Sequence, residues 1–417
     1  MSGTPPPADP PVAGELIAAT DLDAARRATS SLAVRTPTIA CDELTERAGG
    51  AVWLKAECLQ GAGSFKLRGA LSKLAALGEP TAGVVTASAG NHARALAYAA
   101  RRKGVSCAVF MPLDAPVSKV AAVERLGARV HLEGDSVEEA LALAGDWAGR
   151  TGAALVHPFD DLDVIAGQGT LAIELLEDVP HLARVIVPVG GGGLASGVGI
   201  ALRRALSRVE LVGIQAAVCA PYADALAGRS PLADGEISPG ATIADGIAIK
   251  RPGRLTLPLL RELLDGLETV SEDEIADAVV FLAETTKLVA EGAGAVAVAA
   301  LASGRLAPVD GATVAVVSGG NVDSGLLAGL LRRGETEKGR RARLYTRVPD
   351  RPGGLAELLT LVAGARANII SLEHVREAVP LHVRETGVEL TLETRGPAHT
   401  VEVLAALQRA GYEATLE

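Results

Sequence analysis

The 417-residue chain is long enough for two or three domains at roughly 150 residues each, and 48% hydrophobic with 22% charged residues excludes disorder over its whole length. A net charge of −10 and only 2% aromatic residues exclude a basic nucleic-acid face and a base-stacking platform. The 47 glycines exceed the ~7% of average composition without a Gly-X-Y period, so collagen is excluded and their positions become the question.

The start, Met1 to Val12, is proline-rich and lacks the basic and apolar regions of a signal peptide, so residues 1–25 are expected to be a flexible tail. Cys41, Cys58, Cys107 and Cys219 are widely spaced with no Cys-x-x-Cys pair. No metal site or disulfide framework is expected, and a cytoplasmic location is. From about residue 50, β-branched runs at Ala51–Ala56, Gly83–Thr86, Ser106–Met111, Ala128–Leu132, Arg184–Val189, Leu211–Gln215 and Thr313–Ser318 read as strands buried on both faces. Between them lie helical stretches such as Ala89–Lys103, Val117–Leu126, Ser136–Thr151 and Leu194–Leu206. This alternation predicts an α/β fold, mostly parallel sheet with helices on both sides, whose ligands gather beyond the carboxyl ends of strands. The apolar run Val185–Leu202 holds Pro188 and a glycine cluster, so it reads as strand, turn and helix rather than a membrane span. Residues 335–341 are charged without apolar period and read as a linker. Beyond them strand, helix, two strands, helix and a short strand give a βαββαβ order, a small ferredoxin-like unit over 342–417.

Four stretches carry candidate chemistry. In Gly61-Ala-Gly-Ser-Phe-Lys-Leu-Arg-Gly69, a Ser64 cap would put Lys66 in the first turn of a helix, where the positive end of the dipole disfavours an ammonium. A partly desolvated lysine there offers neutral amine for a Schiff base; the plainer reading is a surface lysine. Val189-Gly-Gly-Gly-Gly-Leu-Ala-Ser196 runs from strand through four glycines into helix, suited to an oxyanion at the helix N-terminus. It lacks the Gly-x-Gly-x-x-Gly pattern and following acid of a dinucleotide fold, and the Gly-Lys-Ser/Thr of a P-loop, which favours a single phosphate over a tightly packed turn. Ser318-Gly-Gly-Asn-Val-Asp323 offers a hydroxyl at a strand end, and Ser88-Ala-Gly-Asn-His92 opens a helix with amides suited to a carboxylate, or is simply a cap and turn. Together they suit pyridoxal 5′-phosphate and an amino acid.

With these motifs in order, and with His157-Pro-Phe-Asp-Asp161, Val164-Ile-Ala-Gly-Gln-Gly169, Thr242-Ile-Ala-Asp-Gly246, Lys287-Leu-Val-Ala-Glu-Gly-Ala-Gly294 and Asp350-Arg-Pro-Gly353, the sequence resembles the threonine dehydratases (threonine ammonia-lyases) from about residue 30 to the end. These are β-family, fold type II pyridoxal-phosphate enzymes, two-lobed and tryptophan synthase β-like, here with a C-terminal ACT regulatory domain. The resemblance implies a catalytic domain over 26–334. It implies that Lys66 attaches the cofactor and acts as base at Cα, with Phe65 beside the ring. Asn91 would bond the phenolic oxygen, Gly190, Gly191, Gly192, Gly193 and Leu194 would hold the phosphate, and Ser318 would face the pyridine nitrogen. Ser64, Ser88, Ala89, Gly90, Asn91 and His92 would hold the substrate. The implied reaction is β-elimination of L-threonine, and also L-serine, to 2-oxobutanoate or pyruvate and ammonia.

Departures from the family pattern are Cys58, Ala62 and Arg94, in place of a usual Asn, Thr and Gln. Related racemases carry a second serine where Ala89 stands, and some relatives carry an acidic metal ligand where Ala217 stands. The ACT resemblance implies an amino-acid effector, isoleucine or valine, at Asp350, Gly353, Gly354 and Asn368, and a homo-oligomer, dimer or tetramer.

Overall fold

Short β-branched runs flanked by glycine and proline become strands of two parallel sheets in the computed structural model, which describes residues 11–206, 208–229, 242–376 and 382–416. In the larger sheet Val52–Lys55, Ala312–Val316, Leu182–Pro188, Glu210–Ala216 and Gly266–Val270 lie side by side and parallel, and Thr38–Ala40 adds an antiparallel edge beside Val52–Lys55. The smaller sheet orders Arg129–Leu132, Cys107–Met111, Val84–Ala87 and Ala154–Leu155, all parallel. Val84–Ala87 and Ala312–Val316 are buried throughout, as parallel strands covered on both faces must be. Arg129–Leu132 departs from that expectation: it is an edge strand, with Arg129 and Leu132 exposed.

Three helices carry the elements of the site. Lys66–Ala76 and Gly193–Arg204 both pack against Leu162–Asp178. Glycines stand at the crossings: a Cβ on Gly167 would lie 2.5 Å from the Arg68 carbonyl oxygen, and one on Gly197 would lie 2.3 Å from that of Ile165. The backbones therefore touch directly. No helix among the described residues is long and apolar enough to cross a membrane; Val185–Leu202 divides between the strand ending at Pro188 and the helix from Gly193.

The tail expected over residues 1–25 is corrected in its second half. Ala13–Ala19 and Leu22–Thr29 are helices; Asp21 caps the second by accepting the Ala24 amide at 2.9 Å, and Leu16 and Leu22 join the apolar core. The amphipathic spacing after the prolines outweighs the composition before them. Residues 1–10 lie outside the described residues.

The chain divides into two compact units, with the boundary between Asp323 and Ser324. The second begins with helix Ser324–Glu337, so the first part of the expected 335–341 linker is helical, held by an Arg333–Glu337 ion pair one turn apart. Strand Arg341–Pro349 follows almost at once. Helix Gly354–Gly364, strands Asn368–Val375 and Glu385–Glu393, helix Pro397–Arg409 and strand Thr415–Leu416 complete it. Its antiparallel sheet orders Asn368–Val375, Glu385–Glu393, Arg341–Pro349 and Thr415–Leu416. Leu344 and Val348 alternate with exposed Arg343 and Arg347, so one face of the sheet carries the core and the other is polar.

Candidate active site

Lys66 is the first residue of its helix, and its Nζ donates to the Pro158 carbonyl at 2.8 Å. Burial lowers its amine to about 8, against a partial upward pull from the Glu291 carboxyl. The acceptor is held in place by its own turn: the His157 ring accepts the Asp160 amide at 2.8 Å, and the Asp160 carboxylate accepts the amides of Arg254 and Leu255 at 2.9 and 2.8 Å. Ser64 does not cap the helix as expected. Phe65 occupies the cap position without a side-chain bond, and Ser64 Oγ is buried with no partner among the described residues. Ser64 instead bridges to Gly319, and the Phe65 amide donates to the Ser318 carbonyl at 3.0 Å. That backbone pairing, rather than a cap, sets the register of the lysine. The Phe65 ring centre lies 5.2 Å from Lys66 Nζ.

The four-glycine turn leads from the strand ending at Pro188 into the helix starting at Gly193, with Gly192 left-handed at φ 84°. Side chains are excluded by what packs on it. A Cβ would lie 2.9 Å from Ile247 Cα at Gly190, 2.1 Å from the Phe159 ring at Gly191 and 2.8 Å from Tyr222 Oη at Gly192. The Tyr222 hydroxyl donates to the Gly191 carbonyl at 2.8 Å, fixing the turn from behind. Among the described residues the amides of Gly190 to Gly193 meet no acceptor, and Leu194 is buried in the core below them. Phe159, within the His157–Asp161 stretch already quoted but given no role there, and Tyr222, which the sequence reading did not single out, add aromatic surface to a site where Phe65 alone was anticipated; nothing local in the sequence links them to residues 190–193.

Ser318 follows the strand ending at Val316; it is buried, and among the described residues its Oγ has only a long contact, 3.5 Å, to the Ala293 carbonyl. The Ser88–His92 loop leads into helix Asn91–Lys103 with Gly90 at the cap, and Ser88 Oγ accepts the Gly90 amide at 3.1 Å. The His92 ring turns inward to the Val156 carbonyl at 3.1 Å, and burial lowers it to about 3, so it is a neutral core histidine. Asn91 bonds two residues that the sequence reading did not select: Nδ2 donates to Glu291 Oε1, and Oδ1 accepts from Asn321 Nδ2. The signal for both was present, since Glu291 and Asn321 lie inside stretches already singled out. Lys66, Phe65, Asn91, Ser318 and the Ser64 backbone are thus joined through the Gly319 loop, with the glycine turn on the neighbouring strand end.

In the second unit, Gly353 caps helix Gly354–Gly364 at φ 93°, and a Cβ on Gly354 would lie 2.3 Å from the Pro349 carbonyl oxygen. Asp350 pairs with Arg376 at 3.2 Å. Asn368 is not beside them. The register pairs it with Glu393, whereas Pro349 pairs with Glu385, which puts Asn368 a strand's length away, about 27 Å.

The groups of the first unit fit pyridoxal phosphate. Lys66 supplies a partly neutral amine, the turn supplies unpaired amides with no room for side chains, and Ser64 Oγ and Ser318 Oγ are buried hydroxyls whose bonding is unmet or weak. An L-threonine ammonia-lyase from Thermotoga maritima is 43% identical over 402 residues, 95% of this chain and 99% of the relative. A solved T.th. threonine deaminase is 39% identical and covers 72% of this chain and 97% of its own at a TM-score of 0.66. Maize serine racemase, 32% identical, covers 76% and 99% at a TM-score of 0.67. With residues 29–320 matching the description "Pyridoxal-phosphate dependent enzyme" and the full-length likeness to the Thermotoga protein, the chain belongs to the pyridoxal-phosphate dependent enzymes.

Proposed function

We propose that the chain is an L-threonine ammonia-lyase that also accepts L-serine, releasing ammonia and 2-oxobutanoate or pyruvate. The observation that carries this reading is the Lys66 amine, lowered by burial, in a chain 43% identical to such an enzyme along 95% of its length. The bound cofactor supplies the electron sink that makes the substrate Cα–H acidic. Lys66 would hold the cofactor through its amine and, once the substrate's amine has displaced it, the freed amine would take the Cα proton. The Gly190–Leu194 amides would hold the phosphate, Asn91 would bond the phenolic oxygen, and Phe65 would lie beside the ring. Ser318 would bond the ring nitrogen; a hydroxyl, unlike a carboxylate, would not hold that nitrogen protonated, a setting that suits elimination of the β-hydroxyl. The substrate sits against Ser64 and the Ser88–His92 loop, whose amides take its carboxylate; of His92 only the backbone serves, since its ring is committed to Val156.

The second unit is an ACT-type regulatory domain in this reading, taking isoleucine or valine at Asp350, Gly353 and Gly354, with Asn368 contributed by a second copy. That assignment accounts for the strand-length separation within one chain. The unpaired edge of Asn368–Val375, with Ile370 exposed, offers the pairing surface of a homo-oligomer. Free cysteines at 41, 58, 107 and 219 accord with a cytoplasmic enzyme. A keto-acid release assay over L- and D-threonine and L- and D-serine, with and without isoleucine or valine, tests the proposal. Release of 2-oxobutanoate from L-threonine is expected; rapid racemisation of L-serine without keto-acid release would overturn it. A response to isoleucine or valine that survives deletion of residues 342–417 would overturn the regulatory assignment.

A further inference from the structure

Glu291 precedes helix Gly292–Ala302 yet makes no side-chain bond to that helix's amides. Its carboxyl is buried and accepts from Nδ2 of Asn91, which lies 200 residues earlier in the chain. The other end of the same amide, Asn91 Oδ1, accepts from Asn321 Nδ2, which also reaches the Ala62 carbonyl at 3.2 Å. These two partners have opposite polarity. A flipped Asn91 would set NH2 against NH2 at one end and oxygen against a carboxyl oxygen at the other, so the chemistry fixes one orientation. In that orientation one of the two N–H bonds on Nδ2 is used by Glu291 and the second remains for another acceptor. Gly319 makes the arrangement possible, since a Cβ there would lie 2.3 Å from Glu291 Oε1. The Glu291 amide also donates to the Gly319 carbonyl at 3.1 Å, which ties the carboxyl to the loop carrying Ser318.

We propose that Glu291 is a positioning residue for the reaction inferred above: acting through the Asn91 amide, it keeps an N–H available to the cofactor's phenolic oxygen. The inference rests on that reading of Asn91 and assigns no proton transfer with substrate to Glu291. Lys66, Arg94 of helix Asn91–Lys103 and Lys119 of helix Val117–Glu124 face the carboxyl with positive charge, Asp245 faces it with negative charge, and the Cys58 thiol is near. Burial and then Asp245 push the carboxyl up, to about 7, so it exchanges its proton near neutrality. Ionised, it accepts more strongly from Asn91 but disfavours negative charge on the phenolic oxygen; protonated, it accepts through its carbonyl oxygen and that repulsion is gone.

The test is the visible absorbance of the cofactor on the purified holoenzyme, without substrate, titrated between about pH 5.5 and 9. The parent, Glu291→Gln and Glu291→Ala are compared, each with its cofactor dissociation constant and melting curve. Glutamine keeps an acceptor for Asn91 but cannot ionise. The expected result is a spectral transition near pH 7 in the parent that is missing from Glu291→Gln, which retains cofactor within about threefold. Glu291→Ala is expected to lose cofactor affinity about tenfold, the equivalent of one hydrogen bond to a buried group. An unchanged transition in Glu291→Gln would overturn the proposal, as would parental spectrum and affinity in Glu291→Ala. If Glu291→Ala does not fold, the Glu291→Gln titration decides alone. Because no turnover is measured, a parent that releases no keto acid from threonine would sink the lyase reading and leave this outcome to be read separately.

Discussion

Arg68 grips Glu174 with both ends of its guanidinium, Nη1 to Oε1 at 2.7 Å and Nη2 to Oε2 at 2.9 Å, two residues beyond the Lys66 amine. The same group donates Nε and Nη2 to the two oxygens of Glu57 at 2.9 and 2.8 Å, and Lys55 Nζ completes the cluster at 2.6 Å from Glu174. Burial alone would raise the Glu57 carboxyl, but the Arg68 charge holds it below the usual carboxylate range. Replacing Arg68 leaves buried carboxylates without their cation, so Arg68→Ala is expected to cost about 3–5 kcal/mol of stability. Thermal or urea unfolding of the variant checks this. Arg68→Lys is expected to recover only part, because an ammonium cannot reproduce the paired fork.

The Lys66 amine, lowered to about 8, predicts how the cofactor-free protein takes up pyridoxal phosphate. Only the neutral amine attacks a carbonyl, so the binding rate should rise as pH rises and level off above about 8. Stopped-flow absorbance on cofactor-depleted protein measures it. A rate still climbing toward the ordinary lysine range would contradict the burial argument. Lys66→Ala should abolish covalent attachment and lower lyase turnover by about a thousandfold or more.

Two glycines separate site packing from plain helix propensity. A Cβ on Gly191 would sit 2.1 Å from the Phe159 ring, whereas one on Gly145, inside helix Val137–Thr151, would meet nothing within 4 Å. Gly191→Ala is therefore expected to weaken cofactor retention and lower the melting temperature. Gly145→Ala should leave the site intact and add up to about 1 kcal/mol of stability. Melting curves and cofactor content of the two variants give opposite signs if the packing argument holds.

Ala89 lies between Ser88 and Gly90 in the loop before helix Asn91–Lys103 and brings no hydroxyl to it. Ala89→Ser should raise the rate of D-serine formation from L-serine relative to keto-acid release, followed by chiral chromatography. An equal D-serine yield from parent and variant would remove the basis for preferring elimination over racemisation.

Most of the strand and helix order was legible because parallel strands are unbroken β-branched runs, and runs such as Val84–Ala87 end within a few residues of their expected limits. The short strands Thr38–Ala40 and Ala154–Leu155 were not, since two or three residues carry no period. In the candidate site, the positions of the glycine turn and Ser318 just after strands and of Lys66 at a helix start were legible, because each joins a reactive or absent side chain to an element boundary. Glu291 and Asn321 were not selected, because their roles depend on a meeting of distant segments at Asn91. Ser64 was misread because a serine before a helix is ordinarily its cap, whereas here the backbone pairing with Gly319 takes precedence. Other glycines, such as Gly167 and Gly197, lie inside helices.

Those helical glycines set a distance. The helix bearing Lys66 and the helix rising from the four-glycine turn both meet Leu162–Asp178 through bare backbone at Gly167 and Gly197. Side-chain layers between helices have rotamers, and a rotamer change shifts the helices they separate. At these two points there are none to change, although side chains such as Arg68 and Glu174 meet beside them. The spacing of the helix backbones at these two crossings is then set by peptide units in contact, which makes it less sensitive to repacking elsewhere in the core.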